Sequence, residues 1–397
     1  MTLAANFFKN LKVLELASVL AGPSVGQFFA ELGAEVIKIE NPESNGDVSR
    51  SWLAKGEENR KGRSAYFCAA NWGKQSLAIN LNTAEGQSIV KDLAKQSDIV
   101  LSSYKVGDAE KFGLDYQSLS QINSALIYGH IVGYGADDPR VGYDALIQAE
   151  AGLMSINGAP GSDGLKLPIA FIDILAAHHL KQAILIALIN RQFEAKGAYI
   201  PVSLFDCAVQ SLANQGTNHL MNNSLPKPMG NEHPNIVPYG AVYKTMDNRK
   251  LMVAIGGNQQ FKNFCEILTL PIFDKFADNK IRVEKREELN AILANRIKQL
   301  EADFILTQCN KLRIPVGELR NISEVFSEPE IRNSLLKSDA FPAAFGLPSL
   351  AVSIGLSSTS RLLPPPILGE HSEQILTSKL NYSKEYINII KSSRIVF

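Results

Sequence analysis

The sequence has few cysteines and no excess of charge of either sign. Its four cysteines lie far apart among 397 residues and form no C-x-x-C pair. This spacing excludes a disulfide scaffold and a zinc knuckle, and it is typical of a protein of the reducing cytoplasm. Forty lysines and arginines balance forty aspartates and glutamates. Without net positive charge, the chain lacks the attraction that drives binding to nucleic acid or to anionic membranes.

Long hydrophobic runs and metal-ligand spacings are also missing. The longest wholly apolar run, Ala183–Ile189, is too short to cross a bilayer. The start, MTLAANFFKN, has no basic segment followed by a long apolar core, so we expect no signal peptide. His178 and His179 are adjacent and do not form the i, i+4 pair that would hold a metal on one helix face. We therefore expect a cytoplasmic protein with no bound metal.

The first half of the chain alternates between strand and helix patterns. Leu11–Leu16 (LKVLEL) is typical of a buried strand, Gly22–Gly33 contains an amphipathic helix, and Glu35–Glu40 (EVIKIE) is a second strand. Such a βαβ unit predicts an α/β fold with a parallel sheet. Further strands are predicted at Ser76–Leu81, Asp98–Ser103, Ala125–Gly133 and Tyr199–Leu204. A doubly wound sheet of this kind binds ligands beyond the carboxyl ends of its strands.

The length allows two domains, and a proline-rich stretch marks the boundary between them. Asn222–Gly240 contains four prolines, which predict an extended linker. Short strands and helices follow it and predict a smaller α+β domain. We assign residues 1–200 and 330–397 to the large domain, 201–240 to the linker, and 241–329 to the small domain with its return linker.

The turn after the first predicted strand also allows a dinucleotide site to be considered. Glu40 ends the second strand, where a nicotinamide enzyme carries its ribose-binding acid. The segment Ala21–Gly26 (AGPSVG) is not G-x-G-x-x-G, however, and Pro23 lacks the N–H that a pyrophosphate requires. We favour a structural interpretation, in which these glycines allow a helix to pack closely on a strand.

One carboxylate precedes the most apolar helix pattern of the chain. Asp173 follows the short apolar run Leu167–Ile172 and begins a stretch that ends at Lys196-Gly197. Such an aspartate is either an N-cap or a nucleophile that the helix dipole keeps ionised at neutral pH. The local sequence by itself favours the N-cap and leaves the nucleophile as the alternative. Because the stretch is apolar nearly all round, it predicts a buried, rigid helix behind Asp173.

Nine segments follow one another in a distinctive order. They are VLAGP (Val19–Pro23), LGAEVIKIE (Leu32–Glu40), NWGKQSLAINLNTAEG (Asn71–Gly86), FGLDY (Phe112–Tyr116), GYDALIQAEAGLM (Gly142–Met154), the Asp173 segment, HPNIVPYG (His233–Gly240), IPVG (Ile314–Gly317) and LGEH (Leu368–His371). Together they resemble the CaiB/BaiF-like family III CoA-transferases. The resemblance implies a Rossmann-like large domain built from both chain ends, a small inserted domain, and a homodimer of two interlocked rings.

The resemblance also implies a chemistry. In these transferases the aspartate matching Asp173 attacks an acyl-CoA thioester, forms a mixed anhydride and then an aspartyl-CoA thioester, and passes CoA to a carboxylic acid. CoA is a substrate, and no permanently bound cofactor is implied. A racemase branch pairs the aspartate with the histidine of a G-H-D motif, which is Gly142-Tyr143-Asp144 here. Tyrosine, with a pKa near 10, is a weak partner for proton exchange at pH 7, so we favour the transferase.

Residues implied by the resemblance come from several segments. The CoA contacts would be Leu20, Asn41, Lys74, Ser103, Tyr104, Lys111, Phe112 and Tyr143, and the substrate pocket would include Gly135, Arg140, His233 and Tyr239. The chain departs from the family pattern in the CoA segment, where the usual E-N-F-R-P-G is Ser102–Gly107. This departure leaves a third possibility, a CoA-binding protein without catalysis.

Overall fold

The computed structural model describes residues 7–339, 341, 345–349 and 362–397, which form two compact units. The large unit contains the described residues of Met1–Gly152, Leu167–Gly216 and Asn333–Phe397, and the smaller unit contains Leu153–Lys166 and Thr217–Arg332. Residues 153–166, assigned to the large domain from the sequence, belong to the smaller unit, and residues 201–216, assigned to the linker, belong to the large unit. The reason is that the last strand of its sheet runs to Ser203, and the helix after it packs back onto the same unit.

The large unit contains one parallel sheet of six strands. They are β1 (Lys12–Leu16), β2 (Glu35–Glu40), β3 (Gln75–Ala78), β4 (Ile99–Ser102), β5 (Ile127–Val132) and β6 (Ala198–Ser203). Their order is β3-β2-β1-β4-β5-β6, and every neighbouring pair is parallel. The predicted doubly wound, Rossmann-like sheet is therefore confirmed. The chain reverses its direction of winding between β1 and β4, which leaves a crevice at the carboxyl ends of these strands.

The helices connect the strands and cover the sheet. In chain order they are α1 (Ala21–Glu31), α2 (Ala65–Cys68), α3 (Ala84–Lys95), α4 (Asp108–Phe112), α5 (Tyr116–Ile122), α6 (Asp144–Glu150), α7 (Leu153–Ile156), α8 (Phe171–Glu194), α9 (Leu204–Ser211), α10 (Ala213–Asn222), α11 (Asn258–Ile267), α12 (Asn279–Glu284), α13 (Arg286–Ile297), α14 (Ala302–Lys311), α15 (Ile322–Ser327), α16 (Pro329–Ser334), α17 (Ser372–Leu380) and α18 (Lys384–Ser392). The chain end returns to the sheet, where Val396 forms an antiparallel bridge with Ile79.

The smaller unit has its own sheet and its own core. Strands β7 (Tyr239–Lys244), β8 (Lys250–Ala254) and β9 (Val316–Glu318) form an antiparallel sheet in that order. Helices α11, α13 and α14 contribute apolar residues to the core beside it. A further short pair, β10 (Leu336–Lys337) and β11 (Phe345–Gly346), belongs to the large unit.

Helix α1 packs closely against the strand that precedes it. A Cβ on Gly22 would lie 2.4 Å from the Ala17 Cβ, and one on Gly26 would lie 1.9 Å from Glu15 Oε2. A side chain at Gly22 would therefore push the helix off the sheet, and one at Gly26 would displace the Glu15 carboxylate from its buried ion pairs. Both clashes confirm the structural interpretation of these residues. Glu40 is not available to a ribose, because its buried carboxylate accepts two hydrogen bonds from Arg50.

Helix α8 is buried on one face only. Its amino-terminal half packs against α1 and β5 through Ile172, Ala176, Leu180 and Ile184. Farther along, Ile186, Ile189 and Phe193 are 68%, 62% and 83% exposed, so the prediction of burial all round is wrong for this half. Apolar composition does not specify which face meets the sheet. By length and composition alone, α8 is the one described helix that could cross a membrane, although 39% of its most apolar window is buried in the protein.

Candidate active site

A pocket of about 300 Å³ opens at the carboxyl ends of the central strands of the large unit. The turn after β1 (residues 18–22), the segment after β4 (residues 103–106) and the loop after β5 line it, together with Trp52 and Asp173. This is the crevice where the strand order reverses, so the predicted position of a ligand site beyond the strand ends coincides with the pocket.

The start of α8 is capped by an aspartate that is distant in sequence. Asp144 Oδ1 accepts a hydrogen bond of 2.7 Å from the N–H of Ile172 and a longer one of 3.4 Å from that of Asp173. Its other oxygen accepts a bond of 2.6 Å from the Gln148 side chain. Asp173 is the third residue of α8 and makes no capping bond, so its interpretation as an N-cap is wrong. Asp144 satisfies the helix end in its place.

Because Asp144 caps the helix, the carboxylate of Asp173 is not needed to stabilise the helix start. It lines the pocket, and within the part of the chain that the structure describes no hydrogen bond or ion pair reaches its carboxylate oxygens. Burial, followed by the nearby negative charge of Asp144, raises the pKa of Asp173 to about 7. The expectation that the helix dipole keeps this group fully ionised is therefore corrected, because loss of hydration outweighs the dipole. A carboxyl group that titrates near neutral pH in a cleft is a functional candidate.

The raised pKa of Asp173 makes stability depend on pH. Between its ordinary pKa of 3.8 and about 7, the folded protein binds a proton that the unfolded chain has released, so this contribution to stability is lost as the pH rises through that window. We expect Asp173→Asn to raise the free energy of unfolding at pH 8 by about 2 kcal/mol and to change it little near pH 4. Urea unfolding of both proteins at the two pH values measures this. The control is Asn at the exposed Asp163, and equal effects of the two substitutions at pH 8 would contradict the shift.

The pocket brings together most of the residues predicted from the sequence. Those that line it are Leu20, Ser103, Tyr104, Gly135, Arg140, Tyr143 and Asp173. Asn41, Lys111 and Phe112 are not among the lining residues, although the Phe112 ring lies 6.0 Å from that of Tyr104. Contacts of these three with CoA stay predictions. Among the described residues, no group of three or more His, Cys, Asp or Glu is placed to hold a metal ion.

Lys74 does not contact the pocket. Its side chain is fully buried, and its ammonium group donates to Glu15, to the Pro23 carbonyl and to Asn71 Oδ1. The prediction that Lys74 binds CoA is corrected, because no surface of this residue is open to a ligand. Burial lowers the pKa of Lys74 to about 8 even though the adjacent Glu15 carboxylate opposes the shift. Lys74 is therefore part of the internal support of α1.

The predicted substrate residues His233 and Tyr239 lie in the smaller unit. Their ring centroids are 5.2 Å apart, and the His233 N–H donates to the Tyr239 carbonyl. Arg286 and Asn279 hold the same segment by donating to the carbonyl groups of His233 and Asn235. The role of these two rings toward a substrate stays a prediction.

Arg140 brings a positive charge to the pocket wall. Its guanidinium lies 3.6 Å from the centre of the Tyr134 ring, and Nη2 is 2.8 Å from Asp138 Oδ2. The side chain is 58% exposed, so a ligand anion has access to it. Sequence reasoning missed Trp52 in this wall, because it lies in an irregular segment that carries no periodic signal.

The turn after β1 contributes backbone donors. Ala21 and Gly22 line the pocket and form the first turn of α1, where N–H groups have no acceptor within the helix. The residue before them, Leu20, also lines the pocket. A free carboxylate thus shares one cavity with unpaired N–H groups at a helix start, which suits an oxygen that becomes negatively charged during a reaction.

Known proteins provide an independent comparison. The model of CoA-transferase family III matches residues 8–372. The succinate–glutarate CoA-transferase of Agrobacterium fabrum is 37% identical over 380 residues, which cover 92% of this chain and 94% of that protein. The human succinyl-CoA:glutarate CoA-transferase is 34% identical and covers 98% of this chain and 89% of its own length. A crystal structure of a CAIB/BAIF family protein from Brucella suis matches with a TM-score of 0.77 at 38% identity, over 92% of this chain and 97% of that one. The chain belongs to CoA-transferase family III.

Proposed function

We propose that this protein transfers CoA from an acyl-CoA thioester to a carboxylic acid, with Asp173 as the covalent nucleophile. The observation that carries the proposal is the carboxylate of Asp173, which lines the pocket while Asp144 caps the helix behind it. A carboxylate is a weak nucleophile in water, so the site must hold it against the thioester carbon and stabilise the oxyanion that forms. The N–H groups at the start of α1 are the candidates for that stabilisation.

The transfer requires no net change in charge or oxidation state. Ionised Asp173 attacks the thioester carbon, the C–S bond breaks, and CoA leaves as a thiolate while a mixed anhydride remains. The thiolate attacks the aspartyl carbon of the anhydride, which releases the donor acid as a carboxylate and forms an aspartyl-CoA thioester. The acceptor carboxylate then attacks the carbonyl of this thioester and expels the CoA thiolate, which leaves a second mixed anhydride. The thiolate attacks the acceptor's acyl carbon in that anhydride, which forms the new acyl-CoA and releases the Asp173 carboxylate. Each step exchanges one acyl bond for another, so no nucleotide is consumed.

Dicarboxylic acids are the substrate class we propose. The relatives named above act on succinate or glutarate, whose second carboxylate needs a cation in the site. Arg140 faces the pocket, and stacking on Tyr134 limits the freedom of its guanidinium. Asp138 accepts hydrogen bonds from Nε and Nη2 of Arg140, so a substrate carboxylate would bind through Nη1 or in place of Asp138. Either contact is a charged hydrogen bond, which favours a diacid over a monoacid of the same length.

The acceptor preference tests both the reaction and the role of Arg140. We expect the wild-type protein to exchange CoA between succinyl-CoA and glutarate, and Arg140→Gln to lower kcat/KM for glutarate by about 10- to 100-fold, because a charged hydrogen bond is lost. The value for butyrate should change by less than about 3-fold. Arg394→Gln is the control, since Arg394 is exposed and does not line the pocket. Equal losses for diacid and monoacid would contradict this assignment.

Two other activities stay as alternatives, and the same protein distinguishes them. A racemase would exchange the alpha proton of a 2-methylacyl-CoA for deuterium without any acceptor acid, and Tyr143 at the position of the histidine disfavours it. A CoA-binding protein without catalysis would bind CoA in a calorimeter but exchange it with no acid. The transferase requires instead a covalent CoA adduct, visible in the intact mass after incubation with succinyl-CoA alone.

We also propose a homodimer. The exposed Ile186, Ile189 and Phe193 form an apolar face on α8 that a second copy would cover. Sedimentation velocity at micromolar concentration is expected to give twice the chain mass of 43.4 kDa, and a monomer would contradict the proposal. The interlocked arrangement of two rings and the cytoplasmic location stay predictions from the sequence.

A further inference from the structure

The turn that carries the pocket donors contains a strained residue. Val19 has a φ of +72°, in the left-handed region that branched side chains rarely adopt. Such a conformation is strained in a residue with a branched side chain and persists only where surrounding contacts hold it. Val19 lines the pocket and directly precedes Leu20 and the first turn of α1. Its conformation therefore sets the direction in which the next peptide groups point.

Asp47 holds Val19 in this conformation. Both of its carboxylate oxygens accept the Val19 N–H, at 3.2 and 3.1 Å, across 28 residues of sequence. The carboxylate is itself fixed, because Oδ2 lies 2.9 Å from Lys38 Nζ and Oδ1 accepts both the N–H and the hydroxyl of Ser49. Burial alone would raise its pKa, but the Lys38 charge and the Ser49 bonds lower the pKa of Asp47 to about 2. The acceptor is thus a permanent anion with one orientation.

The two residues that precede Val19 also form hydrogen bonds with side chains distant in the sequence. Lys38 donates a hydrogen bond of 2.7 Å to the Ala17 carbonyl, and the Ser18 N–H donates one of 3.1 Å to Ser103 Oγ. Three consecutive residues, 17 to 19, are therefore tied to side chains from other parts of the large unit. Lys38 connects two of these contacts, because its ammonium group forms an ion pair with Asp47 and also donates to the Ala17 carbonyl.

We infer that Asp47 is a positioning residue, which holds Val19 left-handed so that the N–H groups at the start of α1 face the reacting thioester oxygen. The inference rests on the proposed function, because it assigns those groups to the oxyanion. Asp47 is buried and does not line the pocket, so its effect reaches the substrate only through the turn. Glycine adopts a positive φ at no steric cost, so a glycine at position 19 removes the strain that Asp47 offsets.

A double-mutant cycle of Asp47→Asn and Val19→Gly tests the inference. In the wild-type background we expect D47N to lower kcat for succinyl-CoA and glutarate by about 10- to 100-fold, within the range for loss of oxyanion donors, with KM changed by less than about 3-fold. In the V19G background we expect the same substitution to lower kcat by less than about 3-fold, since the turn no longer depends on Asp47. Equal losses in both backgrounds would assign Asp47 a role in stability only and overturn the inference.

Amide hydrogen exchange provides a readout that does not depend on activity. D47N should accelerate exchange of the Val19 amide at least about 10-fold and leave that of β5 unchanged. Asp115→Asn is the matched control, because Asp115 caps α5 and its loss weakens the unit at a place remote from the turn in sequence. If the wild-type protein transfers CoA to no acid, the proposed function fails, whereas exchange still reports on the turn. An active D47N protein with a protected Val19 amide would overturn the positioning role.

A second variant keeps the inference testable if D47N does not fold. Ser103→Ala removes the acceptor of the Ser18 N–H and leaves the buried ion pairs intact. Ser103 also lines the pocket, so a loss in kcat alone would not separate its two roles. We expect exchange of the Ser18 amide to rise at least about 3-fold, together with a loss in kcat of about 3- to 10-fold and an unchanged melting temperature. A Ser18 amide that exchanges as slowly as in the wild type would overturn the idea that these hydrogen bonds orient the turn.

Discussion

Asp173→Asn is expected to lower kcat for CoA transfer by about 10⁴-fold or more, as loss of a covalent nucleophile does. Asparagine has the size of aspartate but forms no anhydride, because its amide nitrogen is not nucleophilic. The helix start should stay intact, since Asp144 and not Asp173 accepts the N–H of Ile172. The loss would therefore be one of chemistry with the pocket preserved.

Three measurements make this prediction specific. CoA exchange between succinyl-CoA and glutarate gives kcat, calorimetry with CoA reports that binding is retained, and the intact mass reports the loss of the covalent adduct. Asp173→Ala accompanies the asparagine variant, because slow deamidation of asparagine regenerates aspartate. Asn at the exposed Asp163 is the control and should leave kcat unchanged. An adduct of CoA mass on the alanine variant would eliminate Asp173 as the nucleophile.

Glu15→Gln is expected to lower the free energy of unfolding by about 3–5 kcal/mol. Glu15 is fully buried and lies between two buried ammonium groups, 3.0 Å from Lys38 Nζ and 2.7 Å from Lys74 Nζ. Glutamine removes the negative charge and leaves both cations without it in a place that water does not reach. Asp47 then faces Lys38 alone, and Lys74 has only neutral acceptors.

An exposed ion pair of the smaller unit provides the matched control. Glu288→Gln removes the partner of Lys275 on the surface, where about half of each side chain is exposed, and exposed pairs contribute less than about 1 kcal/mol. Urea unfolding of both variants at pH 7 measures the difference. Lys74→Met added to Glu15→Gln should recover part of the loss, because one uncompensated cation is then gone. A Glu15 variant that unfolds within 1 kcal/mol of the wild type would contradict the buried network.

Local patterns in the sequence predicted the sheet of the large unit. The strand β2 is observed at its predicted bounds, Glu35–Glu40, and the other strands differ from prediction by a few residues at their ends. The apolar residues of these strands are close neighbours in the sequence, as in Val13-Leu14 and Val36-Ile37, so the signal for a strand is local. The structural role of Gly22 and Gly26 was also predicted from the sequence, because close packing of a helix on a strand requires the absence of a side chain at those positions.

The burial of charged side chains could not be predicted from local patterns in the sequence. Lys74 resembles a surface cation in the sequence, yet it is enclosed with Glu15, a residue 59 positions away. The exposed end of α8 shows the opposite error, since its apolar residues contact solvent in the single chain. The periodicity of a helix or strand shows how apolar each of its faces is. It does not show which other element packs against that face, because that element is distant in the sequence.

By itself the sequence determined a doubly wound α/β unit, the absence of a dinucleotide turn, and an aspartate at the start of an apolar helix. Only the tertiary structure decided that Asp144 caps this helix from 28 residues away and leaves the Asp173 carboxylate open to the pocket. It also decided the pKa of Asp173 and the hydrogen bond that the Val19 N–H donates to the Asp47 carboxylate. The hydration of a carboxylate, its distance from other charges and the strain of a backbone turn all depend on groups that folding brings together. The spacing of residues along the chain therefore does not predict them.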